Sequence, residues 1–531
     1  MKPATACLQC RSSKRKCLRN LADPQAACLA CQGRKDRCSK PWIKPRSNLP
    51  VPWTVPKLQP APSEQGPFVN YNDEAPLATE TSGFIRLYFR YIHDRPHSLF
   101  HEQSLWKAVN NGALPESLST AICALGCRFA ATASQRDLVS TFMTRSKCLL
   151  AQQLEDISVA NIQTCILLAN SYAAEQNNRL EALYFGIANR MAYVLGLHQR
   201  DRNDTSIVRE TKSRVWWSLF MADRWCPPSL GLPRELIRSN PTVDLPIDEV
   251  VFQSLRLSND VALTQRSTGI WTYKTTLADI LTSIQDVNLT LVRDSVASSV
   301  IDQQVEEIAD RLLTWQRSLP QHMVMSDENL EKHRENGQGG TFVALHLGYH
   351  HYSTLLYFQY LEPDREPTDQ TIAYASRCSF HGLAISRLLH NARQFDDCHV
   401  VYLTVAHMLI VSSSVLLHIL LLGDDVEVET ARMQLTLNFQ ALEDLTRYWP
   451  CVEHMKKRLF VFQDACLRSS AAKTYAVDRW IVRFLLEYGL PLEEKSDDVS
   501  AKEAPLTKQH ENAVSLERRA FLGEALESVR G

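Results

Sequence analysis

The sequence lacks the motifs that most often mark an enzyme. Its 531 residues contain no glycine-rich phosphate loop, no GxSxG nucleophile elbow and no paired acid motif. We therefore expect no enzymatic activity. The start, MKPATACLQC, also lacks the apolar core of a signal peptide, which disfavours a secreted, disulfide-bonded scaffold.

A heptad repeat is missing from the segment between Pro41 and Pro76. This segment holds nine prolines in 36 residues, a density at which no stable helix forms. It should be an extended, semi-rigid linker. Because a coiled coil is excluded there, we expect a monomer, or a homodimer formed without an adjacent coiled coil.

Cysteine is abundant and concentrated in the first 38 residues. Six of the 15 cysteines form two copies of the half-motif C-x2-C-x6-C. They are Cys7, Cys10, Cys17, Cys28, Cys31 and Cys38. The other nine are scattered through apolar sequence without metal-site spacing, which indicates reduced core thiols and a reducing compartment.

The number of clustered thiols limits the metal arrangement. A closed zinc site takes four thiolates, so two separate ions would need eight ligands. Six thiols complete two sites only if two sulfurs each bridge both ions. We therefore expect a binuclear zinc cluster with two Zn²⁺ per chain. The alternatives are a pair of half-sites or a disulfide framework.

The near-neutral net charge of −1 conceals a basic head. Residues 1–46 carry twelve Lys or Arg against Asp23 and Asp36, a net charge of +10, and the remainder carries −11. A segment this basic favours a polyanionic partner such as nucleic acid, and we expect double-stranded DNA.

At these residues the chain resembles the fungal Zn2Cys6 binuclear-cluster transcription factors. The similarity covers both half-motifs, the basic run before the third cysteine, and Pro24. The resemblance implies that Cys7 and Cys28 bridge the two ions, and that Lys14 reads the guanines of a CGG-type half-site in the major groove. Ser13 departs from the family, which often has a basic residue there. The expected DNA-binding residues are Arg11, Lys14, Arg15, Lys16, Arg34 and Lys35.

Beyond residue 80 the apolar residues recur at helical spacing. Thr81–His93 reads as an amphipathic helix, and Ser158–His198 and Glu210–Pro233 continue the pattern, with Pro227 and Pro228 expected to stop the last helix. Two sets of histidines, His93/His97/His101 and His346/His350, have spacings that suggest metal ligands. We interpret the first set as a structural turn, because Pro96 interrupts it, and the second as helix histidines without a third ligand.

The segments EALYFGIANRMAYVLGLH and RVWWSLFMADR resemble the middle homology domain of the same fungal transcription factors. The fold class is therefore expected to be mainly α, with a small zinc head, a proline-rich linker and a large all-helical regulatory domain. The expected boundaries are 1–46 for the DNA-binding head, 47–79 for the linker, 80–490 for the regulatory domain and 491–531 for a polar tail with a short amphipathic helix.

Residues 400–422 form a run of 23 residues without a formal charge, long enough to span a bilayer. His407, His418, three serines and acidic flanks favour a buried helix instead, and we expect no membrane partner.

The sequence as a whole predicts a nuclear, sequence-specific regulator of genes transcribed by RNA polymerase II. The resemblance also implies a small-molecule effector or a co-regulator protein acting at the helical domain. The alternatives are a zinc-dependent RNA-binding or scaffold protein, and a membrane-tethered regulator.

Overall fold

The computed structural model of the chain divides into two compact units, Met1–Val69 and Asn70–Gly531. The residues described are 7, 10, 17, 28–33, 38, 78–236, 243–256, 267–293, 297–468 and 474–495. Within these ranges the regular structure is helical, with isolated bridges at His93–His97 and Ile247–Thr268 in place of strands. The expected mainly α fold class is confirmed. The proposed linker up to residue 77 and the polar tail from residue 496 lie outside the described residues.

The first unit contributes one described helix, α1 (Leu29–Gln32). The second unit begins with α2 (Ala78–Tyr91), α3 (Glu102–Asn110), α4 (Glu116–Gly126), α5 (Ala133–Arg136), α6 (Val139–Gln152), α7 (Val159–Ala174), α8 (Asn178–Val194), α9 (Ser206–Ser229) and α10 (Glu249–Ser254). It continues with α11 (Ile270–Arg293), α12 (Ser298–Ser318), α13 (Asp327–Glu335), α14 (Gly339–Tyr357), α15 (Asp369–Ala392), α16 (Thr404–Leu422), α17 (Asp425–Thr446), α18 (Val452–Arg468) and α19 (Arg479–Leu486). Three single 3-10 turns follow α4, α12 and α14.

Helix α16 is the uncharged segment, and it lies in the interior of the second unit. It is long and apolar enough to cross a membrane, but 83% of its most apolar window is buried by other helices. Its polar side chains have partners inside the protein. His407 and His418 each reach a backbone carbonyl at 3.0 Å, and Ser412 donates to the carbonyl of Gly382 at 2.7 Å. The expectation of a buried helix is confirmed.

Helix α9 corrects one sequence-based expectation. The helix does not stop at Pro227 and Pro228 but includes both and ends at Ser229. Proline lacks an N–H, so Pro228 leaves the carbonyl of Arg224 without its helical donor. The side-chain amide of Gln285, on α11, donates to that carbonyl at 2.8 Å. A tertiary contact therefore replaces the missing helical hydrogen bond.

The suspected histidine ligands are structural. His93 accepts hydrogen bonds from the backbone of Leu99 and Phe100, and His97 bonds the Tyr88 hydroxyl at 2.8 Å. His346 reaches the Met323 carbonyl at 3.1 Å. His93 and His97 thus belong to a hydrogen-bonded turn, and His346 and His350 lie on helix α14, where the His350 Nδ1 is 2.9 Å from the Nδ1 of His381.

A buried arginine ties the turn after α2 to α9 and to the loop before α10. Arg214 is fully buried and pairs with Glu210 at 2.9 Å, Glu249 at 3.8 Å and Asp94 at 3.9 Å. Its other N–H groups donate to the Ser98 hydroxyl and the Ile247 carbonyl. These partners come from three separate stretches of the chain, so this guanidinium fixes their relative positions.

Replacing Arg214 by Met should therefore destabilise the helical unit severely. The carboxylates of Glu210 and Glu249 would stay buried without their cation, which costs about 3–5 kcal/mol. Urea unfolding followed by circular dichroism measures the loss. Arg145→Met is the matched control, because its ion pair with Glu116 is exposed and should contribute less than about 1 kcal/mol. Equal losses in the two variants would contradict the structural role of Arg214.

Two neighbouring buried histidines should respond in opposite ways to replacement by phenylalanine. His351 is fully buried, stacks on Trp225, and has no hydrogen-bond partner for either ring nitrogen among the described residues. Burial lowers its pKa to about 3. His351→Phe should be neutral or stabilising, whereas His407→Phe, which leaves the Leu485 carbonyl unpaired, should cost about 1–3 kcal/mol.

The pH dependence gives a second readout. The unfolded chain binds a proton at His351 below about pH 6.5, but the folded chain does not until about pH 3, so stability falls as the pH falls from 6.5. His351→Phe should lessen this fall by up to about 1.4 kcal/mol per pH unit between pH 6 and pH 4. Thermal unfolding across this range checks it, and an unchanged slope would contradict the assignment.

Candidate metal centre

The local chain geometry brings the thiols of each C-x2-C step together. Cys28 immediately precedes α1, and its carbonyl accepts the backbone N–H of Cys31 at 2.9 Å. Residues three apart on a helical turn lie on one face, so both sulfurs point the same way. In the first half-motif the backbone N–H of Cys10 donates to the Cys7 sulfur at 3.4 Å, which places these two thiols side by side.

The two steps meet as a group of four sulfurs. The Sγ atoms of Cys7, Cys10, Cys28 and Cys31 all lie within 4.8 Å of one another, and the four side chains are at most 2% exposed. Cys7 lies 3.8 Å from Cys28 and 3.6 Å from Cys31, and Cys10 lies 3.6 Å and 3.9 Å from the same two. A tetrahedral zinc with Zn–S bonds of about 2.3 Å separates its sulfurs by about 3.8 Å. The four thiols therefore fit a zinc ion in both chemistry and spacing.

The remaining two cysteines of the motif lie at the edge of this group and are half-buried. The thiol of Cys17 interacts with Cys7, Cys10 and Cys28, and its sulfur accepts the backbone N–H of Cys7 at 3.5 Å. The thiol of Cys38 interacts with Cys7, Cys28 and Cys31. Cys17 and Cys38 thus both pack against the group of four thiols.

Cys7 and Cys28 are the two grouped cysteines whose thiol pKa is lowered. Burial raises the pKa of the Cys7 thiol, but hydrogen bonds from the Cys10 backbone and from neighbouring thiols outweigh it and lower the pKa to about 6. The pKa of Cys28 is lowered in the same way, against burial, by the Cys31 backbone and nearby thiols. Burial raises the pKa of Cys10 and of Cys31, the latter to about 12. Hydrogen bonds within the group therefore favour the thiolate form of Cys7 and Cys28, the form that ligates a metal.

The basic residues predicted to contact DNA lie outside the described residues. They are Arg11, Lys14, Arg15, Lys16, Arg34 and Lys35. Their roles stay predictions based on their positions beside the cysteines.

Part of the helical unit is similar to a known protein family. Residues 85–335 match the model of the fungal specific transcription factor domain. This match begins within α2 and ends with α13, so it covers the first part of the helical unit, including α9 and Arg214. No solved structure matches the chain.

Three curated relatives extend the match along the chain. An uncharacterized transcriptional regulatory protein of Schizosaccharomyces pombe is 22% identical over 70% of this chain and 51% of its own length. A second such protein of that yeast is 24% identical over 56% of this chain and 34% of its own length. The Zn(2)-C6 fungal-type transcription factor FTF2 of Fusarium oxysporum f. sp. lycopersici is 22% identical over 76% of this chain and 41% of its own length.

These matches confirm the resemblance to fungal Zn2Cys6 transcription factors. The family and the named relatives are transcription factors, in agreement with the expectation that the chain is not an enzyme. The chain spans about half, or less, of the length of the relatives it matches.

Removing one of the four grouped thiols should release zinc. Cys10→Ala takes a ligand from the group, so the zinc content of the purified chain, measured by plasma mass spectrometry, should fall. Cys148→Ala is the matched control, because Cys148 is exposed and lies on α6, outside the motif. A Cys10→Ala chain that keeps the full zinc content would rule out this site.

Proposed function

We propose that the chain is a sequence-specific nuclear transcription regulator that acts on genes transcribed by RNA polymerase II. In this proposal residues 1–46 form a zinc-stabilised head that reads CGG-type half-sites in double-stranded DNA. The observation that supports the proposal is the group of four buried thiols, two from each half-motif, whose sulfurs lie within 4.8 Å of one another.

The head holds two Zn²⁺ ions. Cys7, Cys10, Cys17 and Cys28 ligate one ion, and Cys7, Cys28, Cys31 and Cys38 ligate the other. The rival arrangement is a single ion held by the four most buried thiols. The metal acts as a structural element, because a segment this short has too few apolar residues to fold around a core of its own. A ratio of two zinc ions per chain supports the shared arrangement, and a ratio of one supports its rival.

DNA binding in this proposal uses two kinds of contact, with phosphates and with bases. Six thiolates on two zinc ions lower the +10 charge of the head by two, which leaves a strong attraction to phosphates. Arg11, Arg15, Lys16, Arg34 and Lys35 supply phosphate contacts that position the head. Lys14 supplies base discrimination by donating to guanine O6 and N7 in the major groove.

The helical domain, residues 80–490, regulates the head through a small-molecule effector or a co-regulator protein. Residues 47–79 link the two, and residues 491–531 form a polar tail. The proline density of the linker sequence disfavours a coiled coil, so in this proposal the chain binds as a monomer or as a homodimer formed without an adjacent coiled coil.

Selection from random duplex DNA by the full chain should enrich a CGG-type motif. A single recovered half-site indicates a monomer and a paired one indicates a dimer. Binding should be lost when a chelator removes zinc. Absence of an enriched motif, or equal affinity for structured RNA, would favour the RNA-binding or scaffold alternative.

Lys14→Ala should weaken binding to the selected site by about 1–3 kcal/mol and binding to random DNA by much less. Lys44→Ala is the matched control, because Lys44 follows the last cysteine and should weaken both kinds of binding to the same small extent. Fluorescence anisotropy with the two DNAs at one salt concentration measures both. An equal loss on both DNAs for Lys14→Ala would show a phosphate contact rather than base reading.

A further inference from the structure

The helical unit encloses a cavity at the meeting point of its central helices. Its volume is about 140 Å³, and its walls come from α7, α8, α9, α11, α14, α16 and α18. Apolar side chains such as Ile166, Phe185, Leu277 and Met408 make up most of its surface. An apolar cavity of about 150 Å³ accommodates benzene, so this one has room for a compact organic body.

Two buried basic side chains line this mostly apolar cavity. Arg95 is 8% exposed and Lys274 is 7% exposed. The Lys274 ammonium donates to the Arg95 backbone carbonyl, and Arg95 donates to the His93 carbonyl at 3.2 Å. The Arg95 Nε has no hydrogen-bond partner, and neither cation lies within ion-pair distance of a carboxylate in the described part of the chain. Buried charges are normally paired, so this pair has unused capacity for an anion.

The carboxylates that interact electrostatically with Lys274 are Asp94 and Glu249, and both have other partners. Asp94 pairs with His93 at 3.3 Å and with Arg214. Glu249 pairs with Arg214 and accepts the backbone N–H groups of Ile270 and Trp271, both at 3.0 Å. Burial lowers the pKa of Lys274 to about 7, although Asp94 and Glu249 oppose this. The two acids therefore leave the Lys274 charge only partly compensated.

Glu181 is the one carboxylate among the cavity's lining residues. Burial raises its pKa to about 7, against a hydrogen bond with Cys226. It makes no ion pair with Arg95 or Lys274 in the described ranges. The lining therefore carries Arg95 and Lys274 against a single carboxyl group, and that group pairs with neither of them in the described part of the chain.

We propose that this cavity binds a compact organic monoanion, with an apolar body about the size of benzene and a carboxylate that accepts from Arg95 and Lys274. The apolar body fills the space between α9, α11 and α14. Its role as a regulatory signal rests on the proposed function of the chain, but binding itself does not and can be measured without DNA.

Arg95 also borders a second, polar depression with a volume of about 570 Å³. Five carboxylates line this depression, namely Asp94, Glu102, Glu249, Asp396 and Asp397. An anion is therefore favoured on the cavity side of Arg95 and not in the depression.

Isothermal titration of the full, zinc-loaded chain with benzoate tests the proposal. Benzoate should bind with one site per chain, and the neutral isostere benzamide should bind at least about tenfold more weakly, since a charge-assisted hydrogen bond contributes about that factor. Lys274→Met should remove this preference. Lys332→Met is the matched control, because Lys332 is exposed and pairs only with Glu328, and it should leave benzoate binding unchanged.

A cavity-filling variant tests the location while keeping both cations. Gly348 lines the cavity, and a Cβ there would meet only Leu277, at 3.7 Å. Gly348→Leu should fold and should block benzoate, whereas Gly83→Leu, on α2 and with no atom within 4 Å of its Cβ, should not. The proposal is overturned if the wild-type chain does not bind benzoate, if benzamide binds equally well, or if Gly348→Leu still binds.

Discussion

The helical unit depends on how one buried charge is neutralised. Arg214 cannot be solvated where it lies. The chain must therefore bring carboxylates and carbonyls to it from the turn after α2, from α9 itself, and from the first residue of α10 and the loop before it. One of these partners, Asp94, adopts a left-handed backbone conformation with φ of 61°, which aspartate tolerates better than most residues. Another, Glu249, accepts the first N–H groups of α11. The position of Arg95 next to Asp94, and of Lys274 one turn into α11, follows from these contacts.

The head also buries groups that carry charge, but these groups are cysteine thiols. A segment of fewer than fifty residues buries too little apolar surface to fold unaided, and the four most buried side chains described in it are cysteines. Thiols packed at 3.6 to 3.9 Å repel once they ionise, unless a cation lies among them. In the helical unit the cation is Arg214 and its partners are carboxylates. In the head the partners are thiolates, and the cation that suits them is a metal ion. In both units a charge that water cannot reach fixes the arrangement of the chain.

Local sequence patterns predicted those parts of the molecule that local physics controls. The spacing of the cysteines predicted which sulfurs come together, because a C-x2-C step is a single turn. The histidines, serines and acidic flanks of the uncharged run ending at Leu422 predicted a buried helix, and 83% of its most apolar window is buried. The prediction that Pro227 and Pro228 end the helix was wrong. Proline removes a backbone N–H donor, but the side-chain amide of Gln285, 57 residues beyond Pro228, supplies a donor in its place. A rule based on the local sequence does not include such a distant contact. Arg95 and Lys274 belong to no motif, and 179 residues separate them, so only the folded chain reveals that they share a cavity wall.

The positions of Arg95 and Lys274 also determine how an anion in the cavity affects the stability of the helical unit. Arg95 and Lys274 lie on elements that Arg214 holds together, so a carboxylate that pairs with them acts on the same buried network. The carboxylate neutralises the positive charges of Arg95 and Lys274. It binds the folded chain but not the unfolded one. The stability of the helical unit then rises with the logarithm of ligand concentration above its dissociation constant.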